Sequence, residues 1–132
     1  MSEKTLAAPQ APVTLATFQQ RVAPWVVACF GPQAALDGEE RNHRFLEESI
    51  ELAQACGATA EQVKAMVDYV YSRPAGKVEQ EAGGVLVTLA ALCEARKVDI
   101  HAAAETELSA IWQKVDAIRQ KWQVKPAHIR AG

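Results

Sequence analysis

The chain has 132 residues, a hydrophobic content of 49%, and 14 basic against 16 acidic side chains, which gives a net charge of −2. This length fits one domain, and the balanced charge argues against a general nucleic-acid binder, which would carry a basic excess. No uncharged stretch reaches the roughly 18–20 residues that a membrane span needs, and residues 1–12 lack the apolar segment of a secretory signal. We therefore expect a cytoplasmic protein with no nucleic-acid or membrane partner.

Helical periodicity of apolar residues runs through most of the chain and predicts an all-α fold. We expect a disordered N-terminal arm at 1–13, a helical domain at 14–122 and a flexible tail at 123–132. A bundle of about five helices is predicted within the domain, at approximately residues 14–30, 39–56, 59–72, 78–96 and 100–122.

Local signals set the predicted helix ends. Thr59 opens a capping box, Asp99 is placed to cap the last helix, and Gly57 is a typical stop. Pro24 is expected to kink or split the first helix because proline lacks a backbone donor. Residues 33–38 are predicted to form a loop.

Two helices carry unusually little polar surface. Residues 82–93 are uncharged, so the fourth helix is expected to be buried on most sides. The fifth helix carries an apolar seam at three- and four-residue steps, which suits antiparallel helix packing or a subunit interface: Leu108, Ile111, Val115, Ile118 and Trp122. We expect the bundle to be completed by oligomerisation, as a homodimer or homotetramer.

A cluster of carboxylates, Glu47, Glu48 and Glu51, lies in the second predicted helix, and Glu81 precedes the uncharged run. The three clustered carboxylates share one helix face beside Arg44, opposite the apolar face. One interpretation is a solvated face with an Arg44–Glu48 pair. The other is a Mg²⁺ site, because carboxylates three residues apart repel each other unless a cation lies nearby. Periodicity alone favours the solvated face.

Three segments resemble motifs of the MazG-like all-α nucleoside triphosphate pyrophosphohydrolases. Residues 47–51, EESIE, are similar to the family's EExxE motif, and residues 80–86, QEAGGVL, resemble its second motif, usually E-x-G-D-V-L. Residues 98–100 resemble the start of the family's next helix. The similarity covers about residues 18–122 in the expected order.

The resemblance implies hydrolysis of a (deoxy)nucleoside triphosphate to the monophosphate and pyrophosphate, with Mg²⁺ or Mn²⁺ as cofactor. By position, Glu48, Glu51 and Glu81 would be metal ligands, and Glu47 would be a further ligand or would orient the attacking water. In such a site a metal ion offsets the charge of the phosphates.

Phosphate and base contacts are assigned more loosely. Lys114 lies near a family arginine position and would bind the phosphates, with Lys77 and Arg119 as weaker candidates that also fit ordinary surface cations. A nucleobase needs an aromatic wall and a few hydrogen bonds. The candidates for that role are Trp25, Phe18, Asn42 and His43, although both aromatic residues also have core spacing.

The chain departs from the family pattern at two places. Gly84 stands where the family typically has an aspartate ligand, and Glu107 where it often has a lysine. We hypothesise that Glu107, or else Glu105, supplies the missing oxygen ligand. The alternative is a non-catalytic helical module that binds nucleotide or protein, and a helical interaction protein with a charged face also fits.

Overall fold

The computed structural model describes residues 13–124, with side chains from residue 17 to residue 123. Every regular element in this range is a helix, so the predicted all-α class is confirmed. The described residues form seven helices, which are α1 Val13–Phe30, α2 Pro32–Leu36, α3 Gly38–Ala55, α4 Ala60–Tyr71, α5 Val78–Ala95, α6 Ile100–Trp112 and α7 Val115–Val124. The predicted arm and tail lie almost wholly outside the described residues.

The structure has seven described helices where about five were predicted, and two segments account for the difference. Residues 33–38 were expected to be a loop, but Pro32 begins the short helix α2, where its missing N–H costs nothing and its fixed φ suits a first turn. The predicted last helix is divided by a turn at residues 113–114, where the N–H of Lys114 bonds to the carbonyl of Ile111 at 3.1 Å.

Helix α1 continues through Pro24 and is not split. Proline removes one backbone hydrogen bond from a helix, and packing of the following turn against the rest of the chain offsets that loss. Trp25 Nε1 donates to the carbonyl of Ile111 at 3.2 Å, and Cys29 is 1% exposed. Burial raises the pKa of the Cys29 thiol.

Three predicted helix ends are confirmed, two of them between the second and third predicted helices and one at the start of the last. Asp99 accepts a hydrogen bond from the Ala102 N–H at 2.9 Å. Thr59 and Gln62 form a complete capping box. Gly57 follows α3 with a φ of 95°, a left-handed conformation that glycine adopts without the steric cost of a Cβ.

The small core lies where α1 meets α6 and α7. Val26, Cys29 and Leu108 are its buried apolar residues, and the predicted seam on α6 and α7 lines this junction. The Arg119 side chain donates to the carbonyls of Ala28 and Cys29 at the end of α1. A cation at this position satisfies orphan carbonyls and complements the helix dipole.

Leu108→Ala is expected to lower the free energy of unfolding by about 3 kcal/mol, because it deletes a side chain that is only 6% exposed and leaves a cavity. Leu36→Ala is the matched control, since Leu36 is 88% exposed and should change stability little. Urea unfolding at one fixed protein concentration measures both. Equal midpoints for the two variants would contradict the assigned core.

Helices α4 and α5 show broad exposed apolar surfaces, and the expectation of a fourth helix buried on most sides is not met within one chain. Val87 is 69% exposed on α5, while Met66 and Tyr69 on α4 are 59% and 58% exposed. The glycine pair at 83–84 also meets open space. No helix within residues 13–124 is both long enough and apolar enough to cross a membrane.

Candidate functional site

A cavity of about 600 Å³ lies between α1, α3, α6 and α7. This volume is within the range of sites for small ligands. The short helix α2 connects α1 to α3, and the indole N–H of Trp122 on α7 bonds to Glu40 on α3 at 2.8 Å.

Five residues that the sequence singled out line this one cavity, although they come from distant parts of the chain. They are Trp25 on α1, Glu47 and Glu48 on α3, Glu107 on α6 and Lys114 in the turn before α7. Glu107 thus lines the same cavity as two residues of the acidic cluster. Its proposed role as a metal ligand stays a prediction.

The polar face of α3 is turned towards the cavity, and its apolar face is turned outwards. Glu40 is 2% exposed and Glu47 is partly buried, whereas Leu46 and Ile50 are 57% and 42% exposed. Glu48 and Glu51 are exposed, so the interpretation of a solvated face fits two of the three clustered carboxylates, whereas the apolar face opposite them is exposed rather than buried. The cluster of α1, α6 and α7 packs against charged residues of α3, and it leaves the apolar side uncovered.

Cations and carboxylates alternate along this inner face of α3. Arg44 Nε lies 3.4 Å from Glu40 Oε1, and Arg44 Nη1 donates to Glu47 Oε2 at 3.4 Å. Arg41 lines the cavity one turn earlier, and Lys114 and Lys121 line it from the side of α7. The cavity wall therefore offers four cations besides its three carboxylates.

Aromatic rings form another part of the cavity wall. The Phe30 ring stands between two tryptophans, with ring centroids 5.9 Å from Trp25 and 5.5 Å from Trp122. Both indole N–H groups bond to the protein, Trp25 to the Ile111 carbonyl and Trp122 to Glu40. The rings are thus fixed in place, and their surfaces are the part that a planar ligand can contact.

The remaining predicted site residues lie outside this cavity. Glu51 is exposed on α3, and neither Asn42 nor His43 is among the residues that line the cavity. Glu81 is on α5, where its carboxylate contacts Gly76 and lines a separate pocket with the 70–76 segment. Among residues with described side chains, no three His, Cys, Asp or Glu side chains are close enough to hold a metal together.

The other candidates have structural partners or stay at the surface. Arg119 caps α1, Lys77 precedes α5 as an exposed residue, and Phe18 is partly buried beside Arg21, whose guanidinium lies 5.6 Å from its ring centroid. Glu105, the second candidate for the missing ligand, forms a two-pronged pair with Arg21.

The Arg21–Glu105 pair predicts a pH-dependent contribution to stability. The hydrogen bond from Arg21 lowers the pKa of Glu105, so the pair stabilises the fold above the carboxyl pKa of the unfolded chain, about 4.3. That stability is lost as pH falls through the lower folded pKa. Arg21→Gln should therefore unfold at less urea than wild type at pH 7, with the difference vanishing in acid. The same gap at both pH values, or a gap matched by the exposed Lys64→Gln, would contradict this account.

Several cavity residues were missed by sequence reasoning. No motif singled out Arg41 or Lys121, and Phe30 stands next to a predicted helix end. Trp122 was predicted to belong to the apolar seam. In addition, its indole N–H donates a hydrogen bond to Glu40 on α3. The seam itself was the one signal that could have placed α7 beside the acidic cluster.

Comparisons with other proteins add no assignment. No protein-family model, no curated protein and no solved structure matches this chain.

Proposed function

We propose that this protein is a MazG-like, metal-dependent pyrophosphohydrolase that converts a (deoxy)nucleoside triphosphate into the monophosphate and pyrophosphate. The observation that carries the proposal is the shared cavity, in which Glu47 and Glu48 of the EExxE-like motif meet Glu107, Lys114 and Trp25. The motif is a feature of the sequence, whereas the cavity depends on how the helices pack. Their coincidence supports a functional site.

The side chains around the cavity match the parts of a nucleotide. Arg41, Arg44, Lys114 and Lys121 offer positive charge to the phosphates, and guanidinium groups are especially suited to phosphate oxygens. The fixed aromatic rings of α1 and α7 offer apolar surface to a base or sugar. In phosphoryl transfer, positioning and electrostatic stabilisation supply most of the rate enhancement.

The carboxylates of the cavity suit Mg²⁺ or Mn²⁺, which prefer oxygen ligands. Mg²⁺ is commonly held by one or two carboxylates together with substrate phosphates, so Glu47 and Glu48 can serve without a three-carboxylate cluster in the free chain. Glu107 is a third donor at the same cavity. When bound, the ion supplies positive charge against the phosphate oxygens. Glu51 and Glu81 are ligands by motif position only.

Water is the second substrate of this hydrolysis. The usual general base is a carboxylate that accepts a proton from the attacking water. The same carboxylate can hold the water oxygen in line with the P–O bond that breaks. Glu47 and Glu48 are the motif carboxylates at the cavity, and Arg44 holds Glu47 through a hydrogen bond. We assign the orientation of the attacking water to this pair.

We further infer that the working protein is a homo-oligomer, a dimer or tetramer. The apolar faces of α3, α4 and α5 are exposed in one chain, and apolar patches of this extent mark interfaces in soluble proteins. The glycine pair at 83–84 weakens α5 by about 1 kcal/mol per residue without a steric reason inside the chain. Close approach of a second copy would supply one.

The test is a product analysis with a panel of ribo- and deoxyribonucleoside triphosphates in the presence of Mg²⁺ or Mn²⁺. The proposal expects equal amounts of nucleoside monophosphate and pyrophosphate, and no turnover when the metal is chelated. Release of orthophosphate and nucleoside diphosphate instead would show that the bond between the β- and γ-phosphates is hydrolysed. Loss of activity in Glu51→Gln would show that the site also includes Glu51, further along α3.

The alternative is a nucleotide-binding module without catalysis. Two observations favour it: Gly84 replaces the usual aspartate, and Glu81 lies in a separate pocket from Glu47 and Glu48. Nucleotide binding without turnover of any nucleotide under either metal would select this alternative.

A further inference from the structure

The most deeply buried charged side chain in the described range is Glu40, which is 2% exposed. It lies in the first turn of α3, where Asp37 accepts hydrogen bonds from the Glu39 and Glu40 N–H groups, both at 3.1 Å. A negative charge is favoured at this end of a helix by the macrodipole. The side chain turns away from the helix axis and towards α7.

One oxygen of Glu40 serves three neighbours. Glu40 Oε1 accepts a hydrogen bond from Trp122 Nε1 at 2.8 Å. The same oxygen lies 3.6 Å from Arg41 Nη2 and 3.4 Å from Arg44 Nε, which are ion-pair contacts and not hydrogen bonds. The other oxygen, Oε2, is buried and makes no hydrogen bond to the described residues.

Stability alone does not account for this arrangement. A buried carboxylate with an unsatisfied oxygen is costly, and apolar residues of similar size commonly stabilise a protein as well or better. Burial also lowers the pKa of Arg41, and the charge of Glu40 opposes this effect. The charge of Glu40 therefore offsets part of the cost of burying the Arg41 guanidinium.

All three neighbours of Glu40 line the cavity, whereas Glu40 itself lies behind its wall. Arg41 is held on its other side by the Phe30 ring, whose centroid is 4.7 Å from the guanidinium carbon. Arg44 connects onwards to Glu47 of the EExxE-like motif. A single carboxylate thus contacts two cations and one aromatic ring that face the cavity.

We propose that Glu40 is a positioning residue for the anion-binding part of the cavity, holding Arg41 and Arg44 where they contact the phosphates of the ligand and Trp122 where its ring lines the same cavity. The inference rests on the proposed function for the identity of that ligand. Glu40 itself contacts no substrate, and it acts by fixing the groups that do.

The test compares Glu40→Gln with Glu39→Gln. Glutamine keeps an oxygen for the Trp122 indole but removes the charge that holds both arginines. Glu39 is the neighbouring exposed carboxylate of the same helix turn, so it controls for the change in net charge. We expect Glu40→Gln to raise KM for the nucleotide about tenfold while kcat per folded molecule changes little, because binding is lost equally in ground and transition states.

Two readouts do not depend on turnover. The affinity for inorganic tripolyphosphate should fall about tenfold in Glu40→Gln and stay unchanged in Glu39→Gln. In the ¹⁵N spectrum of the ligand-free protein, the Arg41 and Arg44 Nε–H resonances should move only in Glu40→Gln. If wild type hydrolyses no nucleotide but these two results hold, the proposed function fails and the positioning role stands.

The inference is overturned if Glu40→Gln lowers stability while tripolyphosphate affinity and the arginine resonances match those of wild type. If Glu40→Gln does not fold, Glu40→Asp takes its place, because it keeps the charge but withdraws it by one methylene. Its tripolyphosphate affinity should fall below that of wild type, and an unchanged affinity with unchanged arginine resonances contradicts the proposal.

Discussion

Glu48→Gln is expected to reduce nucleotide turnover by about 10²-fold or more. Glu48 belongs to the EExxE-like motif and also lines the cavity, so it is supported by both lines of reasoning. Glutamine has nearly the same shape, but it removes the negative charge that a metal ligand or a general base requires. The measurement is the initial rate of pyrophosphate release at saturating nucleotide and Mg²⁺.

Glu79→Gln is the matched control for this variant. Glu79 is an exposed carboxylate in the first turn of α5, and it lies outside the cavity. It should keep the rate of wild type within a small factor. A comparable loss of rate in both variants would show that the effect comes from net charge and not from the position of Glu48. Full activity in Glu48→Gln would contradict a catalytic role for this residue in the cavity.

Val67→Glu is expected to dissociate the proposed oligomer. Val67 lies on the apolar face of α4 and is 48% exposed within one chain. An unpaired carboxylate buried in an interface costs several kcal/mol, and each 1.4 kcal/mol weakens association tenfold. The dissociation constant should therefore rise by about 10²-fold or more, which sedimentation velocity over a range of protein concentrations would detect.

Ala65→Glu provides the control on the same helix. Ala65 is exposed and lies two residues from Val67, on the opposite side of α4. The introduced side chain is identical, so oligomer mass should stay as in wild type. A wild-type protein that sediments as a monomer at all concentrations would contradict the homo-oligomer. Dissociation of both variants would contradict an interface on the apolar face of α4.

The fold was predictable from sequence where a local signal was complete. The capping box at Thr59, the cap at Asp99 and the stop at Gly57 gave three helix ends correctly. The short helix α2 was missed because proline and glycine together usually mark a loop, and only the full chain places Pro32 at a first helical position. The division of the predicted last helix at residues 113–114 was missed because no proline or glycine lies there.

The candidate site was predictable in part, because motif spacing selects carboxylates but not their surroundings. Glu47, Glu48 and Lys114 were placed by resemblance and are together in the cavity. Glu40 was missed because one glutamate in the first turn of a helix usually stays in solvent. Its burial depends on Trp122, which lies 82 residues further along the chain.

The orientation of α3 could not be obtained from its own sequence. A helical wheel separates the charged face from the apolar face, but it does not say which face the rest of the chain covers. In one chain Glu40 is buried and Glu47 is partly buried on the charged face, while Leu46 and Ile50 are exposed on the apolar face, which is unlike the ordinary arrangement. In the homo-oligomer that we propose, a second copy would cover this apolar face.

The central claim is that the cavity between α1, α3, α6 and α7 binds a nucleoside triphosphate. It is tested most directly by titrating a non-hydrolysable α,β-methylene nucleotide and following tryptophan fluorescence. Trp25 and Trp122 line the cavity, and Trp112 does not. A Trp112→Phe background therefore confines the signal to the site. The account predicts a saturable change that requires Mg²⁺ or Mn²⁺ and weakens in Lys114→Ala. No change at millimolar nucleotide with either metal would contradict it.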